Sequence, residues 1–230
     1  MVKLFWQFEN KGNLAKHYTV LPDGFFDLVI FVENSEIKKI TLFGVWSKQI
    51  EVIVPPYTTV LGVAFSPLAA EYFFKQSISD IYNGQTDVSQ FLYSINDLPI
   101  NNFAAFCIQF TNKICKNVTI DNRKAAIFKA LFMASGNITV LQLSKSIYWS
   151  SRQINRYFKQ YFGLSLKTYA NILRCSSTYL QIEAGKLTAP LQFYDQSHFI
   201  KEIKKYTGAN PKELHENKND RFLQLSNFIK

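Results

Sequence analysis

The sequence is poor in the residues that build metal centres and covalent frameworks. Three of its 230 residues are cysteine and three are histidine. Cys107, Cys115 and Cys175 are odd in number and show no CxxC spacing. A disulfide framework or a zinc site is therefore not expected, and the thiols fit a reducing cytoplasm. No HxH pair, HExxH helix, P-loop or nucleophile elbow occurs, so neither a metal nor a cofactor is expected. No run of 18 or more apolar residues is present, which excludes a transmembrane helix from the expectation. The opening "MVKLFWQFEN" lacks the apolar core and small-residue cleavage site of a signal peptide. A cytoplasmic chain is expected.

What is abundant is aromatic side chain and, in one half, positive charge. The 21 Phe and 12 Tyr supply apolar area for one large core or two small ones. The net charge is +9 and unevenly placed. Residues 1–116 carry 9 Lys and Arg against 10 Asp and Glu, a net of −1; residues 117–230 carry 17 against 7, a net of +10. Such asymmetry suggests a polyanion-binding module joined to a near-neutral one. A merely solvated basic surface is the alternative.

The first 65 residues read as short strands. "LFWQFE", "FFDLVIFVE", "KKITLFGVW", "QIEVIVP" and "TTVLGVAF" are β-branched or aromatic runs bounded by Gly, Pro, Asn or Ser. "LPDG" at 21–24 has turn chemistry, and Pro55-Pro56 breaks a strand. A small antiparallel sheet or barrel follows. Beyond residue 67 the apolar period becomes helical in "SPLAAEYFF", "DVSQFLYSI" and "NNFAAFCIQFTNKICK". "KNVTIDN" is the most polar joint. It sets a boundary between residues 1–118, a β-rich domain with covering helices, and 119–230, an all-α domain. The fold class is α+β.

The second half is punctuated by caps and glycine stops. Asp121 opens a helix that Gly136 ends, and "TVLQLSKSIY" is a short helix. Ser150 opens "SRQINRYFKQYF", ended by Gly163. Ser165 opens one long helix, "LKTYANILRCSSTYLQIEA", ended by Gly185. Asp195 opens "QSHFIKEIKKYT", ended by Gly208, and Pro211 starts "PKELHEN". The final "NDRFLQLSNFIK" reads as a weak helix and docking tail.

Two of these helices are copies. Residues 151–169 lie over 196–214 at an offset of 45. Arg156 falls on Lys201, Phe158 on Ile203, Lys159 on Lys204, Tyr161 on Tyr206 and Lys167 on Lys212. In the first copy, helix, tight turn and capped basic helix make a helix-turn-helix. Ile154, Tyr157, Phe158 and Tyr161 fall on its core face. Arg152, Asn155 and Arg156 are then placed to meet base edges, since Arg can donate twice to guanine and Asn can pair with adenine. Ser151, Lys159 and Lys167 suit phosphate.

These residues resemble the DNA-binding domain of the AraC/XylS family of bacterial transcription activators, over roughly 125–216. "FYDQSHFIKEIKKYTGANPKEL" is similar to that family's second recognition helix and the Gly–x–x–Pro after it. The resemblance implies two recognition helices in successive major grooves of double-stranded DNA, with RNA polymerase as a partner. It also carries base reading onto Gln196, Ser197, Ile200 and Lys201. Gln192 stands where the family has Gly. Only "KLTAPLQ" separates Gly185 from Phe193, too short for the family's extra helix. The second motif is therefore expected to be truncated. Its helix would rest on the linker helix and core, giving mainly phosphate contacts through Lys201, Lys204 and Lys205, with His198 and Lys212 beside them. His198 has no second ligand at metal spacing and suits a phosphate or the helix cap.

The N-terminal half is looser in its likeness, to the small β-rich sensory domain of some such regulators. Trp6, Phe25, Phe26, Trp46 and Tyr57 could line an effector pocket or simply be core. This half is expected to sense a small molecule or to mediate homodimerisation; the alternatives are an architectural or co-regulatory DNA-binding protein without effector, and an enzyme in the N-terminal half. For the latter, His17, Asp23, Asp27 and Glu33 are the clustered titratable groups, and Asp23 and Asp27 are not expected to converge.

Overall fold

In the computed structural model, which describes residues 1–89, 95, 97–114, 119–217 and 220–225, the strands are shared between two sheets. The strands are β1 (Val2–Asn10), β2 (Lys16–Val20), β3 (Phe26–Glu33), β4 (Glu36–Phe43), β5 (Ile50–Val54), β6 (Thr58–Phe65) and β7 (Gln85–Asp87). The larger sheet is antiparallel in the order β1-β6-β3-β4-β7, and β2 pairs antiparallel with β5. Neither β2 nor β7 is among the runs expected from sequence. "KHYTV" is short and half polar, and "QTD" is wholly polar and exposed, so neither shows an apolar alternation.

The pleat of β3 sorts its side chains to two destinations. Phe26, Leu28 and Ile30 face the helices in the main core; Val29 joins Phe8, Tyr18, Val54 and Val60 in a second cluster between the sheets. On the helix side, α1 (Leu68–Tyr72) and α2 (Phe103–Ile114) cover the sheet. Phe110 of α2 meets Phe5 and Phe65. The helix expected over "DVSQFLYSI" falls largely outside the described residues, as does the boundary at residue 118.

The second half is helical: α3 (Asn122–Met133), α4 (Val140–Ile147), α5 (Ser151–Phe162), α6 (Leu166–Ser176), α7 (Tyr179–Glu183), α8 (Gln196–Thr207) and α9 (Pro211–Glu216). The caps Asp121, Ser150, Ser165 and Asp195 fall where the sequence puts them, and Thr139 and Asn210 cap α4 and α9 as well; each accepts a backbone N–H from the first turn. One expectation fails. The single long helix over 166–184 is broken at Ser177–Thr178 into α6 and α7. The cause is three consecutive hydroxyls. Ser176, Ser177 and Thr178 donate back to the carbonyls of Leu173, Arg174 and Cys175, tightening the turn and bending the chain.

The α+β class expected from sequence holds, and residues of both halves share one core. Leu61 and Phe65 of the sheet, Phe128 of α3, Phe158 of α5 and Phe199 of α8 belong to one continuous apolar core. The tail also docks. Residues 222–225 run beside β2, where Thr19 bridges Phe222, and both amide atoms of Gln224 bond the backbone of Leu21.

Candidate nucleic-acid interface and ligand cavity

The first helix-turn-helix forms as expected. α4 ends on Tyr148 in the left-handed region, φ 57°, and α5 begins one residue after Trp149 at the Ser150 cap. Gln153 completes the cap by accepting from the Ser150 N–H at 2.8 Å. Ile154, Tyr157, Phe158 and Phe162 are buried, while Arg152, Arg156 and Lys159 are exposed together on the opposite face. Asn155 is half-buried, and its amide donates to the Ser151 carbonyl at 3.1 Å. Of the three expected base readers, the two arginines have no hydrogen-bond or ion-pair partner among the described residues, and Asn155 is folded back on its own helix. Ser151 is half-buried, Tyr161 is half-buried rather than core, and Lys167 is exposed.

The second recognition-type helix, α8, repeats this plan. Phe199, Ile203, Tyr206 and Thr207 are buried, and Ser197, Ile200, Lys201, Lys204 and Lys205 are exposed. Lys212 is exposed at the start of α9. "KLTAPLQ" forms no helix, as its length and Pro190 require. The support comes from elsewhere. Arg174 of α6 reaches Glu202 at 3.5 Å and lies over the Phe193 ring at 5.4 Å. His198 serves the helix start: its N–H donates to Asp195 at 2.7 Å and its Nδ1 accepts from the Tyr194 N–H at 3.4 Å.

Gln196 needs correction. Carried over as a base reader, it has its amide engaged: Oε1 accepts from Ala189 N at 2.8 Å and Nε2 donates to the Leu187 carbonyl at 3.0 Å. It pins the short loop to the head of α8.

The far ends of both basic helices are fastened to the β-domain. Ile78 N donates to the Tyr161 carbonyl at 2.9 Å, and the Ser77 hydroxyl to the Gln160 carbonyl at 2.8 Å. Gln49 N donates to the Tyr206 carbonyl at 3.0 Å. The two donor loops are themselves joined. Asn83 N bonds the Val45 carbonyl, and Asn83 Oδ1 accepts from Ser47 N at 2.7 Å. Nothing in the sequence flags Gln49 or Ile78, because backbone donors carry no side-chain signal.

A cavity of about 150 Å³ lies between the two sheets. Its lining is almost wholly apolar and includes Trp6, Phe8, Tyr18, Phe25, Phe31 and Trp46, with Leu223 and Gln224 of the tail. Of the five expected effector residues, three belong to it and two do not. Phe26 is fully buried on the helix-facing side, because adjacent strand residues point to opposite faces. Tyr57 stands 67% exposed on the turn between β5 and β6.

Two carboxyls, those of Asp23 and Asp27, also line this cavity. Their convergence was not expected, yet the β2–β3 turn brings Asp23 close enough to disfavour the ionisation of Asp27. Burial among rings pushes Asp27 up to about 7, helped by the nearby Asp23. Burial likewise raises Asp23 to about 6, against the pull of the Phe25 N–H and Lys3. The Trp6 indole donates to Asp27 at 3.2 Å. Trp6 sits on β1 and Asp27 on β3, with β6 between; opposite Trp6 stands Gly62. A Cβ there would fall 1.9 Å from the indole, so only glycine lets the ring cross the intervening strand. His17 and Glu33, the other titratable groups considered for catalysis, are not in the lining. Among the described residues no cluster of three metal-ligating side chains occurs, and no helix is long and apolar enough to cross a membrane.

A β-domain with an internal cavity is thus packed on helices that include two capped basic ones. The chain is similar in fold to ToxT from Vibrio cholerae, at 12% identity and a TM-score of 0.50, covering 92% of this chain and 97% of that one. Two further ToxT structures resemble it less closely. One, with unsaturated fatty acid bound, matches at 11% identity and TM-score 0.44, over 91% of this chain and 93% of that one. The other, with (E)-4-(8-methylnaphthalen-1-yl)but-3-enoic acid, matches at 13% identity and TM-score 0.41, over 96% and 98%. Residues 1–87 match the family model of a domain of unknown function, DUF6597. No curated protein matches the chain in sequence.

Proposed function

We propose that this protein is a sequence-specific DNA-binding transcription regulator. The observation that carries the reading is the repeat. Two capped helices bury matched apolar faces, expose matched cations, and are held at matched positions by one β-domain. α5 would lie in one major groove and α8 in the next. Arg152 and Arg156 would read bases in the first, with Asn155 after release from its own helix. Ser197, Ile200 and Lys201 would do so in the second. Lys159, Lys167, Lys204, Lys205 and Lys212, with Ser151 and His198, would contact phosphate. The ToxT-like fold supports a regulator of this kind. The cavity in the β-domain is the proposed seat of small-molecule control. Dimerisation and contact with RNA polymerase belong to the same proposal.

Selection of bound DNA from a random pool tests it. Two enriched blocks about one helical turn apart are expected. Binding without any enriched sequence would favour an architectural role instead.

A further inference from the structure

The chemistry of the cavity narrows what it can hold. Its volume, about 150 Å³, is of the size that takes a single aromatic ring in other apolar interiors. Among the described residues, the lining has two carboxyls and no Lys, Arg or His. The cation acting on Asp23 is Lys3, an exposed residue outside the lining whose ammonium lies 5.7 Å from the Phe25 ring. Asp27 has the Trp6 N–H but no cationic partner in the lining. Carboxyls so placed are costly to ionise without a countercharge. Trp46 adds a second polar point: its buried indole N–H has no acceptor among the described residues.

The construction is specific to one side of the sheet. Gly62 clears the path for Trp6 to reach Asp27, which fixes that carboxylate's position against the cavity wall. Asp23 sits on a turn whose neighbouring carbonyls are gripped from the helical half. The Tyr169 hydroxyl of α6 donates to Gly24 at 3.0 Å, and that of Tyr179 of α7 to Pro22 at 2.9 Å. The tail closes the same site, through Leu223 in the lining and Gln224 on Leu21.

We propose that the cavity binds a compact, ring-sized apolar amine, its ammonium paired with Asp27 and Asp23. The inference rests on the reading that this cavity is the control site, and it names the ligand's class. Among the described lining residues, an anionic ligand would meet two carboxyls and no cation. Ionisation of the pair by a bound ammonium would act on the 21–25 turn, hence on α6 and α7, which hold α8 and α9.

Calorimetric titration of the full chain separates the possibilities. Benzylamine, benzyl alcohol and benzoate offer one ring with a cationic, neutral or anionic head; oleate offers a long-chain anion. Benzylamine should bind most tightly, and roughly 30-fold more weakly at pH 5.5 than at pH 8, since a carboxyl titrating near pH 7 is then largely protonated. Binding at pH 6.5 should release protons, seen as a heat that depends on the buffer. Asp27→Asn, which keeps an acceptor for Trp6, should remove most of benzylamine's advantage over benzyl alcohol. Equal or tighter binding of benzoate or oleate, unchanged benzylamine affinity in D27N, or no binding by any of the four overturns the proposal. DNA selection on the same protein is independent. If a sequence is enriched and no amine binds, the ligand class is wrong and the regulator reading stands; if benzylamine binds as stated and no sequence is enriched, the reverse holds.

Discussion

Tyr161 and Tyr206 occupy the same place in the two repeats, and the carbonyl of each accepts a backbone N–H from the β-domain, from Ile78 at 2.9 Å and Gln49 at 3.0 Å. Because the two donor loops are bonded to each other through Asn83, the two basic helices hang from one frame. Their separation is then set by the β-domain, which compensates for the lost helix of the second motif.

The glycine that follows each tyrosine tests how tightly each end is fastened. Gly163 and Gly208 both sit near φ 75°. An added Cβ at 163 would fall 2.8 Å from the backbone carbonyl of Ser79, while at 208 it meets the amide end of the Gln49 side chain, which can move. Gly208→Ala should cost about 1 kcal/mol, mostly the left-handed backbone. Gly163→Ala should cost about 2–3 kcal/mol, because a backbone must also shift. Urea unfolding of the two variants gives the comparison; equal costs would mean that the 77–82 loop yields freely.

Charge placement separates reading from holding. Arg156→Ala should weaken a selected site by about 1–3 kcal/mol and relax one base position. Lys205→Ala should weaken all sequences alike and lower the salt slope by about one. Its ammonium is 3.8 Å from Glu202 and 61% exposed, so little stability is lost with it. Anisotropy titrations over a range of salt distinguish the two.

Removing the amide of Gln196 should unfasten the loop before α8. Gln196→Leu loses both bonds to residues 187–189, a loss of about 1–2 kcal/mol if the loop's backbone is not resolvated. Hydrogen exchange should rise at 187–198 and not at 150–162, and preference should fall in the block read by α8 alone.

The acid pair gives stability a pH signature. Folded Asp27 and Asp23 hold their protons more tightly than unfolded carboxyls at 3.8. Their contribution is therefore whole below about pH 4 and is lost as pH rises through the 6–7 range. Asp27→Asn should flatten that fall and leave the variant more stable than the parent at pH 8, by on the order of 2 kcal/mol. Denaturant midpoints at pH 5 and pH 8 check it; a variant less stable at pH 8 would mean that Asp27 is ionised and well compensated.

The parts legible in the sequence are those written locally. Ser150 and Asp195 as caps, Gly163 and Gly208 as stops, and the exposure of Arg152 and Lys201 follow from a helical period and cap chemistry. The docking tail was also legible, as an apolar segment after the last cap. The parts that were not legible depend on chain crossings. The meeting of Asp23 with Asp27 needs the β2–β3 turn, and the Trp6 bond to Asp27 needs the pairing of Trp6 with Gly62 across the sheet. Phe26 and Phe25 are chemically alike, and only the pleat sends one into the core and leaves the other at the cavity. Gln196 looks like a base reader until a loop without a helix takes its amide.

The central claim is that two helices on one frame read one face of DNA. Once a selected site is known, insertion of half a helical turn, about 5 base pairs, between its two blocks tests this most directly. The account predicts a loss of affinity on the order of a hundredfold, recovered in part when a full turn is inserted. Unchanged affinity after the half-turn insertion would show that α5 and α8 are not held together in binding, and would contradict it.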